Sequence, residues 1–226
     1  QPPRCTNRGA AEQFATKMVR KLERAPRDVR DGWLAAYAAL IDQGFCRPVT
    51  KSELEMDEDY HILITFCIFQ NKITHPWRLC FVPNMTLSTG KTYNAHLLTG
   101  PSYLSHLGQV ILKIRQARYV FIMDIHRMFH KFRLDKESQQ MCRFFMLRPG
   151  ENGKIRYDQY VATCLVFGLS TSPFIATHLL RRHASRYQDH PDEMVRLAST
   201  HLLENSYVDD ICVLVDTPDL IVPIVK

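Results

Sequence analysis

"ENSYVDDICVLVD", residues 204–216, sets two aspartates side by side in a run otherwise suited to a buried β-strand. Like charges beside apolar strands repel each other and are costly to desolvate unless a cation sits with them. The stretch reads as a strand, a tight turn at Val208 to Asp210, and a return strand "ICVLV". For an Asp-Asp pair alone, a solvated hairpin turn is the plainer reading, and a divalent metal is the simplest cationic partner. A third carboxylate, Asp124, stands alone at the end of the apolar run "YVFIMDI", residues 119–125. Two adjacent strands ending together would bring Asp124 and Asp209 within a few Å, a hard-oxygen pair suited to Mg²⁺. Two such ions about 3.5–4 Å apart serve phosphoryl transfer to a sugar hydroxyl.

Around these carboxylates the chain mixes helical and strand patterns. Phe14, Met18 and Leu22 recur at four-residue spacing before Pro26, and Trp33, Tyr37, Leu40 and Ile41 share one face before Gly44, so the start predicts two amphipathic helices. The acidic linker "KSELEMDED" precedes two strand-like runs, "HILITFCIF" and "WRLCFV", and then a Thr, Ser and Gly loop around residues 86–92. Leu104, Leu107, Ile111 and Ile114 predict a helix with a basic end. Residues 141–163 read as a hairpin about "PGENGK", and a further helix opens with Ser172 as N-cap and Pro173 as its first residue. A polar insert, "RYQDHPDEMVRLAST", leads into the opening stretch. Strands and helices mingle without strict alternation, which predicts an α+β fold with helices packed on one face of a sheet.

The composition bounds the partners. The chain has 226 residues, 46% hydrophobic, with 29 Lys and Arg against 23 Asp and Glu. That is enough for a substantial core, and the basic balance favours an anionic partner, nucleic acid first. The seven cysteines are odd in number, lack C-x-x-C spacing and sit mostly in apolar runs, so they read as reduced core thiols of an intracellular protein. No apolar run approaches a membrane span, and the first residues lack the core of a secretory signal. The chain starts at Gln1 and stops in "LIVPIVK", so a fragment of something longer is expected.

"YVDD" (207–210) with "FIMDIHRMF" (121–129) resembles the catalytic core of reverse transcriptases. More narrowly, "LLTGP" (97–101), "MDIHRMFHKFRL" (123–134), "FGLSTSPFIAT" (167–177) and "YVDD" follow the order and spacing of BEL/Pao-type long-terminal-repeat retrotransposons. The helical residues before them are similar to that family's approach to its fingers. The resemblance implies an RNA-directed DNA polymerase fragment with right-hand fingers and a palm built on a ferredoxin-like antiparallel sheet. Residues 1–97 would form N-terminal helices and fingers, 98–132 the first part of the palm, 133–167 a fingers hairpin and 168–226 the rest of the palm, ending before the thumb.

It also implies roles. Asp124, Asp209 and Asp210, with the backbone carbonyl of Ile125, would hold two Mg²⁺ ions, with Mn²⁺ as a substitute. Phe129 would be the ring that excludes a 2′-hydroxyl, Gly168 the bare backbone beside nucleotide and template, and Arg78 the guanidinium on the triphosphate, with Tyr207 also at the nucleotide. Each has a plainer reading: core for Phe129, a strand-to-helix turn for Gly168, a solvated edge charge for Arg78. Lys113, Arg115, Arg118, Lys131, Arg133, Arg181 and Arg182 would follow nucleic-acid backbones. The implied partners are an RNA or DNA template with its primer, deoxynucleotides, and the thumb, RNase H, protease and integrase of the polyprotein, in a cytoplasmic virus-like particle with access to the nucleus. The chain departs from the family at "RLCFVPN", with Val82 and Pro83 where an acidic residue is usual, and at "YHILITFCIF". These departures favour a second reading, a catalytically inactive copy serving as a nucleic-acid-binding or protein-interaction module. Phe129 disfavours a third, an RNA-copying polymerase.

Overall fold

The computed structural model describes residues 7–55, 60–71, 76–86 and 90–225. In chain order its elements are α1 (Arg8–Glu23), α2 (Arg27–Asp42), β1 (Cys46–Pro48), α3 (Lys51–Glu55), β2 (Ile62–Phe69), β3 (Trp77–Val82), α4 (Leu107–Gln116), β4 (Tyr119–Asp124), α5 (Lys136–Gln140), β5 (Arg143–Pro149), β6 (Ile155–Ala162), α6 (Ser172–Ser185), α7 (Glu193–Glu204), β7 (Ser206–Tyr207), β8 (Asp210–Val215) and α8 (Ile221–Val225). The architecture is α+β, as the mixed periodicity predicts. The chain divides into two compact units, one of residues up to Leu98 with Phe129–Ser170, the other of Thr99–Met128 with the residues from Thr171 onward.

The first unit is a five-stranded sheet in the order β1-β6-β5-β2-β3. β5 and β6 form the expected hairpin, with Gly150 N donating to Lys154 O at 2.7 Å across the turn. β2 runs parallel to β5. Helices α1 and α2 cover the sheet through Met18, Leu22, Trp33 and Tyr37, all buried with Leu63, Phe144 and Met146. Ile41, on the predicted apolar face of α2, is instead exposed, and Phe14 is only half-buried because Ala11 and Ala15 take the closest positions. The acidic linker begins as α3. There Glu53 accepts from Arg47 Nη2 at 2.7 Å and Gln140 Nε2 at 2.6 Å, and the Arg47 guanidinium first, with the Thr50 hydrogen bonds, holds its carboxyl well below the usual range. Residues 56–59 of that linker, and 87–89 of the Thr, Ser and Gly loop, lie outside the described residues.

The second unit carries a three-stranded antiparallel sheet, β4-β8-β7. Val213 and Val215 of β8 pack with Ile224 of α8 and with Met194, Leu197 and Ala198 of α7. The second half of the predicted polar insert, from Glu193, is therefore helical. Asp192 caps it by accepting from Met194 N at 2.8 Å, and it escapes hydropathy reading because the side chains it buries deepest are Ser199 and His201. The predicted helix at residues 104–114 starts at Leu107 and buries Val110, while Leu107, Ile111 and Leu112 are exposed. At α6 the cap is Thr171, and Ser172, expected as cap, is the first helical residue and fully buried.

Of the cysteines, Cys46, Cys67, Cys142, Cys164 and Cys212 are buried free thiols and Cys80 is half-buried; Cys5 lies outside the described residues. No helix among the described residues is long and apolar enough to cross a membrane.

Candidate active site

In the second unit, β4 and β8 pair so that Asp124 stands directly opposite Asp210. Opposed residues of an antiparallel pair point to the same face with Cβ atoms about 4.5–5.5 Å apart. Asp209 lies one residue earlier, and its carbonyl accepts from Ile125 N at 3.0 Å, continuing the ladder past Asp124. Asp124 and Asp210 are exposed and Asp209 half-buried. Among the described residues, no Lys or Arg forms an ion pair with any of the three.

The hairpin that presents them is strained. Ser206 pairs with Ile211 and Tyr207 with Asp210, leaving Val208 and Asp209 as a two-residue turn. Val208 adopts φ 56°, a left-handed conformation that such turns normally assign to glycine and that a β-branched side chain rarely tolerates. A second non-glycine residue, Arg127 at φ 55°, lies in the turn closed by Met128 N donating to Ile125 O at 3.0 Å, immediately after Asp124. Both strands that carry the aspartates thus leave the sheet through strained turns, and strain of this kind collects at functional sites.

The hairpin is pinned from behind. Asn205 accepts from Lys113 Nζ of α4 at 3.1 Å and pairs with His201 Nδ1 at 2.9 Å, and its carbonyl accepts from Cys212 N at 3.0 Å. Burial, with the Lys113 ammonium nearby, lowers the pKa of His201, while Glu204 opposes the shift. Lys113, expected to follow a nucleic-acid backbone, also bonds Glu204 at 2.9 Å. Arg181 bonds Leu203 O, and Arg133 bonds Gly44 O and Thr163 Oγ1. Arg115, Lys131 and Arg182 are exposed as expected.

The donor set suits magnesium. Among the described residues no three His, Cys, Asp or Glu side chains are gathered so as to hold an ion as a group. Mg²⁺, however, takes one or two carboxylates and fills its octahedron with water and substrate phosphates. An exposed, unneutralised pair of opposed carboxylates fits that demand. The Ile125 carbonyl already accepts one hydrogen bond, which leaves it one lone pair for a ligand role.

Arg78, Phe129 and Gly168 meet in the first unit around a residue that sequence reasoning missed, Phe167. Phe129 is buried edge-on against Phe167, with centroids 4.6 Å apart, and the Arg78 guanidinium lies over the Phe167 ring at 5.3 Å. Arg78 is exposed on β3, an edge strand. Gly168 has φ 95°, and a Cβ there would come within 3.0 Å of Phe81 O and 3.2 Å of Pro83 Cδ, so only glycine fits. Pro83, one of the sequence departures, is thus packed against that glycine. Asn94, also missed, clamps the loop by donating to Gly168 O at 2.9 Å and accepting from Ser170 N at 3.0 Å. Asn94 has no local sequence signal, and Phe167, though it opens the motif "FGLSTSPFIAT", shows its role only through partners tens of residues away, Phe129 and Arg78. Tyr207 lies in the second unit, opposite Asp210.

Comparison with known families gives a match over residues 65–226, well over half of the chain, to the family described as reverse transcriptase (RNA-dependent DNA polymerase). No curated protein matches the chain.

Proposed function

Because the chain belongs to the reverse transcriptase family, we propose that it is the fingers-and-palm portion of an RNA-directed DNA polymerase from a BEL/Pao-type retrotransposon polyprotein, extending a primer with deoxynucleotides. The family acts on template, primer and deoxynucleotides, and the mixed α+β fold is consistent with its fingers and palm. The observation that carries the catalytic reading is Asp124 opposite Asp210, with Asp209 in the adjoining strained turn. These three aspartates would hold the metal. Magnesium bound there supplies Lewis-acid activation of the primer 3′-hydroxyl and charge neutralisation for the departing pyrophosphate.

The chain's own residues do the rest. Arg78, exposed and backed by Phe167, is suited to bond two phosphate oxygens at once. Phe129 would exclude the 2′-hydroxyl, Gly168 would let backbone approach the nucleotide, and Tyr207 would border it. The thumb, RNase H, protease and integrase would be neighbours in the polyprotein, and a cytoplasmic particle the setting.

Single-nucleotide extension of a labelled DNA primer on an RNA template tests the reading. Magnesium-dependent incorporation of deoxynucleotides that disappears in Asp209→Asn is expected. A folded chain that binds primer-template but incorporates nothing would instead favour an inactive binding module.

A further inference from the structure

The strained turn that carries Asp209 has to be held from outside itself. β7 contributes two residues to the hairpin, Ser206 opposite Ile211 and Tyr207 opposite Asp210. A two-stranded ribbon of that size is marginal in water, and a β-branched residue at φ 56° persists only where its surroundings over-determine it.

Asn205 stands where that constraint can enter. It is the joint between α7 and β7, and it is 5% exposed. Its N–H donates to His201 O at 2.8 Å, and its carbonyl accepts from Cys212 N at 3.0 Å, one rung beyond Ser206 and Ile211. The orientation of its side chain is forced. Lys113 Nζ can only donate, so the atom it meets at 3.1 Å is the amide oxygen, and the amide nitrogen is left to donate to His201 Nδ1 at 2.9 Å. His201 therefore carries its proton on Nε2, which is buried and has no hydrogen-bond partner among the described residues. Leaving that N–H unpaired has a cost, and the arrangement that imposes it is the one that fixes Asn205.

We infer that Asn205, oriented by Lys113 of α4, is a positioning residue for the metal-holding hairpin: ammonium and imidazole fix its amide, its backbone fixes the rung, and the rung sets where Asp209 and Asp210 stand for a divalent cation. This rests on the reading of those aspartates as metal ligands. It gives Lys113 an effect opposite to that of its charge. A positive side chain repels a metal ion in the same unit, so on charge alone its removal strengthens metal binding, whereas removal of a positioning residue weakens it.

Mn²⁺ binding to the chain, followed by electron paramagnetic resonance of the free ion, separates the two. Lys113→Met should weaken binding about 10- to 100-fold, the range for losing a group that orients metal ligands, and Lys113→Arg, which keeps a donor for the Asn205 oxygen, should bind as wild type. Glu204→Gln removes the other group bonded to Lys113 and should also bind as wild type. Asn205→Ala should match Lys113→Met, and the double variant should lose no more than either single one, because both break the same link. Nitrogen NMR of His201 should report the Nε2–H tautomer in wild type and a mixture of tautomers in Lys113→Met, where the Asn205 amide loses its orientation. Mn²⁺ binding by Lys113→Met equal to or tighter than wild type would overturn the inference. So would a loss in Glu204→Gln as large as in Lys113→Met, additive losses in the double variant, or an unchanged tautomer. Should Asn205→Ala fail to fold by circular dichroism, Lys113→Met, at a side chain 41% exposed, decides by the same criteria. A wild type that binds no Mn²⁺ overturns the aspartate reading and this inference with it, whereas equal binding by wild type and Lys113→Met overturns this inference alone.

Discussion

Asp124→Asn removes one of two like charges that face each other across β4 and β8. At about 5 Å, the distance set by the pairing, two unit charges in water repel by about 0.8 kcal/mol. Ionic strength near 0.15 M, with a Debye length of about 8 Å, reduces this to about 0.4 kcal/mol. Both side chains are exposed, so the aqueous value applies rather than a buried one. Urea unfolding in EDTA should therefore show the variant about 0.4–0.8 kcal/mol more stable than wild type, by the cross-strand repulsion relieved, with the gain fading at high salt. Magnesium at ten times its dissociation constant should then add about 1.4 kcal/mol to wild type by mass action and much less to the variant, reversing their order. A variant less stable than wild type in EDTA would show that Asp124 stabilises the hairpin instead of straining it. An equal magnesium gain in both proteins would refute Asp124 as a ligand. The same comparison in a primer-extension assay should show activity lost while stability is kept.

Two further outcomes follow from the structure. Phe129→Val opens space beside Phe167, so it should cost about 1–3 kcal/mol of stability, as buried large-to-small changes do, and should admit ribonucleotides in primer extension; destabilisation with unchanged sugar discrimination would make Phe129 core alone. His61 is buried, stacked on Tyr93 with centroids 4.3 Å apart, and neither ring nitrogen has a hydrogen-bond partner among the described residues. Burial pushes its imidazole down to about 4. Between about pH 6.5 and that value the unfolded chain binds a proton that the folded chain refuses. Its contribution is thus complete above about pH 6.5 and is lost as pH falls toward 4, by up to about 3 kcal/mol. His61→Phe should flatten that slope in urea titrations at pH 7 and pH 5; an unchanged slope would place the acid sensitivity elsewhere.

Much of this protein is written locally. The run 204–216 announces its hairpin because two aspartates interrupt an apolar run suited to a strand, and Asp124 is legible for a similar reason, one carboxylate at the end of an apolar strand. Helices α1 and α2 follow from their four-residue spacing. Helix α7 is hidden because its two most deeply buried residues, Ser199 and His201, are polar, and the apolar stripe of α4 misleads because Leu107, Ile111 and Leu112 meet solvent.

What the sequence determined by itself is most of the longer elements, their order and the carboxylates at their ends, since periodicity and turn chemistry act between near neighbours. Only the tertiary structure decided that Asp124 faces Asp210, that β2 runs parallel to β5, that Lys113 holds Asn205, and that Val208 must bear a left-handed backbone. Pairing partners lie tens of residues apart, and no local pattern records which strand edge or buried carbonyl a residue will meet. Strain at Val208 is likewise set by the two strands that close on it, because nothing in its own side chain favours that conformation.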